Sequence, residues 1–337
     1  MCAYSFPPHS MDHIPTKQDI IDAHERISGY IPRTPVFSNE ALGRLVSSSV
    51  SVHCKMECLM PDVGSFKIRG VMNALLSLTP EERKRGVLTQ SSGNHAQAFA
   101  LVAKRMGIQA TIVMPKNANP IKKRNVLEFG GKIVECEPGD ASREQMVRDV
   151  QSATGAVDIH PFNDYRIIAG HATAAKELLE NVPHLDVIVA PVGGGGLLSG
   201  TLLATHYFSP KTKVIAGEPA GADDAYRSLQ AGSIQPNTTV KTIADGLITT
   251  LGDKTFPIIQ EYVDHIVRVE DSEIAAAMRE LWERLRVTVE ASGAVSFAAL
   301  VKERSSYTTF MDIGVILSGG NVDLDRIPFL KNISIFP

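Results

Sequence analysis

The run 187-VIVAPVGGGGLLSGTLLAT-205 constrains this chain more than any other stretch. Its first half is apolar without alternation, as a strand covered on both faces of a parallel sheet must be. Four glycines follow, and then an apolar helical pattern. The run is uncharged and long enough to raise a membrane span, but Pro191 and the glycines break the helix that a span requires. It reads as strand, loop, helix.

Consecutive glycines cost backbone entropy and return no packing. An anion gives them a purpose. Bare N–H groups can close around a phosphate, and the start of the next helix adds partial positive charge. The alternative is a flexible turn. The spacing is neither Gly-x-Gly-x-x-Gly nor a P-loop with its lysine, so the phosphate belongs to something smaller than a dinucleotide.

Further apolar runs at 110–115, 132–136, 186–192, 213–218, 264–269 and 313–318 read as strands. Helical patterns occupy 94–106, 120–129, 140–154, 166–181, 197–206, 271–287 and 294–302. Such alternation predicts an α/β chain with parallel sheets covered on both faces. With 337 residues, 44% of them hydrophobic, there is material for two domains. Segment 81–160 reads as a small mobile domain set into a larger one formed by 1–80 and 161–337, with cuts near Thr79-Pro80 and His160-Pro161.

A net charge of −3 gives no electrostatic footprint for nucleic acid and no polybasic patch for an anionic membrane. Cys2, Cys54, Cys58 and Cys136 lack zinc spacing and are too few for a disulfide scaffold. In 51-SVHCKMEC-58, Cys54 and Cys58 share the parity of Val52 and Met56, which reads as one buried strand face. A reduced, cytoplasmic protein is expected. The start, 1-MCAYSFPPHSMDH-13, has neither the cationic nor the apolar part of a secretory signal.

Four other stretches carry candidate chemistry. In 64-GSFKIRG-70, Lys67 stands at the mouth of a helical pattern, where the helix dipole does not favour a cation. It is either a surface residue or an amine with a task. The loop 91-SSGNHAQA-98 follows the strand 86-GVLTQ-90 and can offer hydroxyls, an amide and helix-start N–H groups to a carboxylate, or simply cap a helix. In 317-LSGGNVD-323 a serine and two glycines end a strand, as a ligand contact or a tight turn. In 217-GEPAGADDA-225, Glu218 and Asp224 could be oxygen ligands of a hard cation or a solvated acidic turn.

Taken in order, GSFKIRG, 91-SSGNH-95, 193-GGGG-196 and 318-SGGN-321 resemble the fold type II pyridoxal-phosphate (PLP) enzymes across about residues 18–324. The Ser-Ser-Gly-Asn-His loop and the tetraglycine are similar to the serine/threonine dehydratase and serine racemase branch, unlike the Thr-Ser-Gly-Asn-Thr of cysteine synthases. Segments 216-AGEPAGADDAYRS-228, 243-IADGL-247 and 281-LWER-284 bring the resemblance nearest to eukaryotic serine racemases.

That resemblance implies a tryptophan-synthase-β-like fold with two open parallel-sheet lobes and an active site between them. It implies Lys67 as the amine bonded to PLP, Phe66 beside the ring and Asn94 on the ring oxygen. The phosphate would rest on Gly193, Gly194, Gly195, Gly196 and Leu197, and Ser318 would meet the pyridine nitrogen. The substrate carboxylate would meet Ser91, Ser92 and His95, with Lys67 and Ser92 handling protons on opposite faces. A divalent cation (Mg, Mn or Ca) would be held by Glu218, Ala222 and Asp224. The activity implied is serine racemisation with β-elimination to pyruvate and ammonia, in a homodimer acting on a small amino acid; threonine or 3-hydroxyaspartate dehydration is the alternative. Gln97 and Asn321 match positions used for ATP in animal serine racemases, but Arg286 stands where a lysine is expected, so ATP is carried as a candidate activator. Other departures are 60-MPDV-63 ahead of the lysine loop, Ala96 where glycine is frequent, and 290-EASGA-294.

Overall fold

The computed structural model describes residues 11–329 except 119, 308, 310, 325 and 326, so Cys2 lies outside the described residues. Helix α1 (Lys17–Ser28) opens on a reciprocal cap, with Thr16 Oγ1 accepting the Asp19 N–H and the Asp19 carboxylate accepting the Thr16 N–H. Strand β1 (Val36–Ser38), helix α2 (Glu40–Val46, capped by Asn39) and strand β2 (Val50–Lys55) follow. Helix α3 (Lys67–Leu76) begins at the lysine itself. Helix α4 (Pro80–Arg85) has a Thr79–Glu82 capping box and proline at its first position.

The chain then alternates: β3 (Val87–Gln90), α5 (Asn94–Met106), β4 (Ala110–Pro115), α6 (Pro120–Glu128), β5 (Lys132–Cys136), α7 (Asp140–Thr154) and β6 (Val157–Asp158). Next come α8 (Tyr165–Asn181), β7 (Val187–Pro191), α9 (Gly196–Phe208), β8 (Lys213–Pro219) and α10 (Asp224–Ala231). The last elements are α11 (Phe256–Tyr262), β9 (His265–Val269), α12 (Asp271–Leu285), α13 (Ala291–Lys302) and β10 (Met311–Ile316). The strands and helices expected from apolar periodicity are present within a few residues.

The chain forms two compact units, one of residues 1–31 and 67–171, the other of 32–66 and 172–337. The cuts expected near 80 and 160 differ from this division, because contacts group α1 and α3 with α5. The first unit holds a parallel four-stranded sheet, ordered β5-β4-β3-β6, over a core including Leu88, Val113, Cys136, Val147 and Ala156. The second holds six strands, ordered β1-β2-β10-β7-β8-β9. All are parallel except β1, which runs antiparallel to β2. Residues of β2, β7, β8 and β10 share one buried cluster with Phe297 and Val295 of α13. Both sheets are therefore of the covered α/β kind.

One detail corrects the parity argument. Strand β2 ends at Lys55, and the chain turns at Glu57–Leu59, so Cys58 is buried in a turn, not on the strand face with Cys54. Its N–H bonds to the Leu317 carbonyl at 3.0 Å. No helix among the described residues is long and apolar enough to cross a membrane.

Candidate active site

In a parallel sheet, every strand's carboxyl end lies on the same edge, and ligands bind there. The residues singled out above follow that rule within each unit.

In the first unit, Ser91 and Ser92 leave the end of β3, and Asn94 and His95 start α5. Residues after β6 reach the same edge, and Lys67 Nζ donates to the Pro161 carbonyl at 3.3 Å. His95 is buried, and its proton can be located. Thr89 Oγ1 donates its one hydrogen to the Ile159 carbonyl at 2.7 Å, so the 3.2 Å contact with His95 Nε2 requires the imidazole to donate. Burial first, then the charges of Lys67, His171 and His160, hold this imidazole well below its ordinary range. It is neutral, with a bare lone pair on Nδ1, which has no hydrogen-bond partner among the described residues. Ser91 Oγ accepts the Gly93 N–H at 3.2 Å, shaping the turn that presents the start of α5.

In the second unit, the loops after β2 and β10 pair with each other. Phe66 N–H donates to Ser318 O at 3.0 Å, Gly320 N–H to Gly64 O at 2.8 Å, and Ser65 bridges Gly319. Phe66 and Ser318 are thus fixed side by side. The 60-MPDV-63 departure forms a tight turn, with the Gly64 N–H on Met60 O at 2.9 Å and Asp62 at φ +66°.

The tetraglycine joins β7 to α9, a helix of 13 residues starting at Gly196. Gly195 has φ +90°, and a Cβ there would lie 2.8 Å from Thr255. A Cβ on Gly193 would lie 2.8 Å from the Leu247 Cα. Walls of this kind admit only glycine, and the loop they hold is uncharged and ends at a helix N-terminus. The cradle fits a phosphate group such as that of PLP.

Glu218, near the carboxyl end of β8, and Asp224, at the start of α10, are 1% and 0% exposed. Glu218 accepts N–H groups of Ala225 (2.7 Å) and Tyr226 (2.9 Å). Asp224 accepts the Leu251 N–H (3.0 Å) and the Asn237 amide (2.7 Å). Burial pushes Glu218 up to about 8 and Asp224 up to about 6. Among the described residues, no three His, Cys, Asp or Glu side chains group as metal ligands. An ion here would need carbonyl and water oxygens besides the two carboxylates, a set that fits a hard divalent cation.

Residues 27–319 match the family described as pyridoxal-phosphate-dependent enzymes. The chain belongs to that family. It is 47% identical over 312 residues to a serine racemase of Arabidopsis thaliana, covering 91% of this chain and 93% of that one. It is 44% identical over 317 residues to a beta-hydroxyaspartate dehydratase of Paracoccus denitrificans, covering 94% and 99%. The solved structure of maize serine racemase superposes with a TM-score of 0.89 at 42% identity, covering 93% of this chain and 95% of that chain.

One participant is not singled out by the sequence: Thr255 backs the tetraglycine from a helix start about 60 residues away. Asn321, noted above for ATP, instead ties down the turn before Lys67 through the Val63 carbonyl. The only local signal for Thr255 was a threonine two residues ahead of Pro257, the mark of a helix start.

Proposed function

We propose that this chain is a PLP-dependent serine racemase that interconverts L- and D-serine and also converts serine by β-elimination to pyruvate and ammonia. The observation that carries this reading is the near full-length similarity to serine racemases, with the lysine, Ser-Ser-Gly-Asn-His and tetraglycine loops intact.

Bound PLP supplies an electron sink that acidifies the substrate α-proton. Lys67 holds the cofactor and takes that proton on one face. The Ser92 hydroxyl, half-buried, returns a proton on the other face. The N-terminal N–H groups of α5 orient the substrate carboxylate, aided by the Ser91 hydroxyl. His95 acts there through its backbone N–H at the start of α5. Gly193 to Gly196 and Leu197 would hold the phosphate, Asn94 would meet the ring oxygen, and Phe66 would pack beside the ring. Ser318 would meet the pyridine nitrogen, and a hydroxyl stabilises a protonated nitrogen less than a carboxylate does. Glu218, the Ala222 carbonyl and Asp224 would hold a divalent cation, whose charge would offset two carboxylates that burial drives toward protonation.

The test is the product mixture from L-serine, with and without magnesium. D-serine and pyruvate together are expected. Pyruvate with no D-serine would remove the racemase assignment.

A second reading, dehydration of 3-hydroxyaspartate, is favoured by the similarity to the Paracoccus enzyme. Turnover of 3-hydroxyaspartate far above that of serine and threonine would select it.

A further inference from the structure

We propose that Thr255 is a positioning residue for the cofactor's phosphate, acting through the tetraglycine loop. This rests on the reading of Gly193–Gly196 as the phosphate cradle.

A glycine loop binds an anion only if its N–H groups point inward, so its carbonyls must be held elsewhere. Free glycine peptides have no preference that would do this. Thr255 supplies the restraint. Its side chain is wholly buried, and Oγ1 lies 2.9 Å from the Gly194 carbonyl oxygen and 3.2 Å from that of Gly252. The hydroxyl has one hydrogen to give. The Gly252 carbonyl already accepts N–H groups from Phe256 (2.9 Å) and Thr255 (3.2 Å), so the shorter contact to Gly194 takes the proton. The Gly252 N–H in turn donates to Thr255 Oγ1 at 2.9 Å, which fixes the hydroxyl's direction.

The backbone of Thr255 is held as well. Its carbonyl accepts the Ile259 N–H at 3.0 Å in the first turn of α11 and the Ser199 hydroxyl, from α9, at 3.4 Å. The hydroxyl therefore stands on a rigid post. One face of the Gly194–Gly195 peptide is bonded to that post. Rotation of this peptide would aim a carbonyl at the phosphate, and losing the bond permits it.

The test compares the apoenzyme's affinity for PLP and for pyridoxal, which lacks the phosphate, by absorbance titration. Thr255→Val keeps the side-chain shape and removes the donor. It should weaken PLP binding about fivefold to tenfold, the factor carried by one buried hydrogen bond, and leave pyridoxal binding unchanged. Thr255→Ser keeps the hydroxyl and should bind PLP within about twofold of the parent. If the valine variant fails to fold, Thr255→Ala reads the same ratio. A valine or alanine variant that binds PLP like the parent overturns the proposal, as does a serine variant that loses as much as valine. If the parent itself binds pyridoxal as tightly as PLP, the phosphate cradle is what fails, a result distinct from a silent Thr255.

Discussion

The side-chain amide of Asn321 donates to the Val63 carbonyl at 2.7 Å and so ties the turn ahead of Lys67 to the loop that carries Ser318. Gly64 sits against that amide with φ +56°, and a Cβ on it would stand 2.6 Å from Asn321 Oδ1. Gly64→Ala should therefore lower stability by about 1–2 kcal/mol from backbone conformation alone. It should also push the Asn321 amide off Val63, with a fall in kcat. Urea unfolding and steady-state turnover measure the two effects.

Ser92→Ala should separate the two reactions. Racemisation needs a proton donor on each face, whereas elimination needs Lys67 and a proton for the leaving hydroxide. Loss of D-serine formation by about 100-fold, with pyruvate formation retained in part, is expected for general acid–base catalysis. Equal loss of both in an assay from L-serine would place the second acid elsewhere.

Lys55 is fully buried, with Nζ 2.6 Å from Glu177 Oε2, 2.7 Å from the Thr34 carbonyl and 3.9 Å from Glu57 Oε1. Lys55→Met leaves two buried carboxylates without their ammonium and should cost about 3–5 kcal/mol in chemical denaturation. Glu177→Gln should cost less, since Glu57 still faces the amine.

Asp158 gives a pH signature. Burial, and then the Asp164 carboxylate, raise it from an ordinary 3.8 to about 6 against the pull of Arg166, and its buried Oδ1 has no hydrogen-bond partner among the described residues. Below about pH 3.8 the folded and unfolded states both carry the proton. Between 3.8 and 6 the unfolded chain loses it first, so this residue's contribution to stability falls as pH rises and levels off above 6. Asp158→Asn should be more stable than the parent by up to about 3 kcal/mol at pH 7, with no advantage near pH 4. A gain that is equal at both pH values would contradict the raised carboxyl.

The fold was legible where burial and period coincide. The run 187–191 is apolar because β7 lies inside its sheet, and the glycines stand out because nothing else explains them. Cys58 was misplaced because alternation says nothing of where a strand ends; the turn at Glu57–Leu59 comes from long-range bonding, including that of Cys58 to Leu317. The division into units was obscured for a similar reason. Helix α3 packs by its contacts with α5, and no residue type near 67 announces that. Thr255 acts by touching backbone far away in sequence, so it looks like an ordinary polar residue until the chain is folded, and the bond of Asn321 to Val63 is hidden for the same reason.

The central claim is that the Lys67 amine carries the cofactor. Borohydride reduction of the holoenzyme followed by peptide mapping tests it directly. A phosphopyridoxyl mass on the peptide containing Lys67, abolished in Lys67→Ala, is the predicted result. Label on another lysine, or none on a protein reconstituted with PLP, would contradict the account.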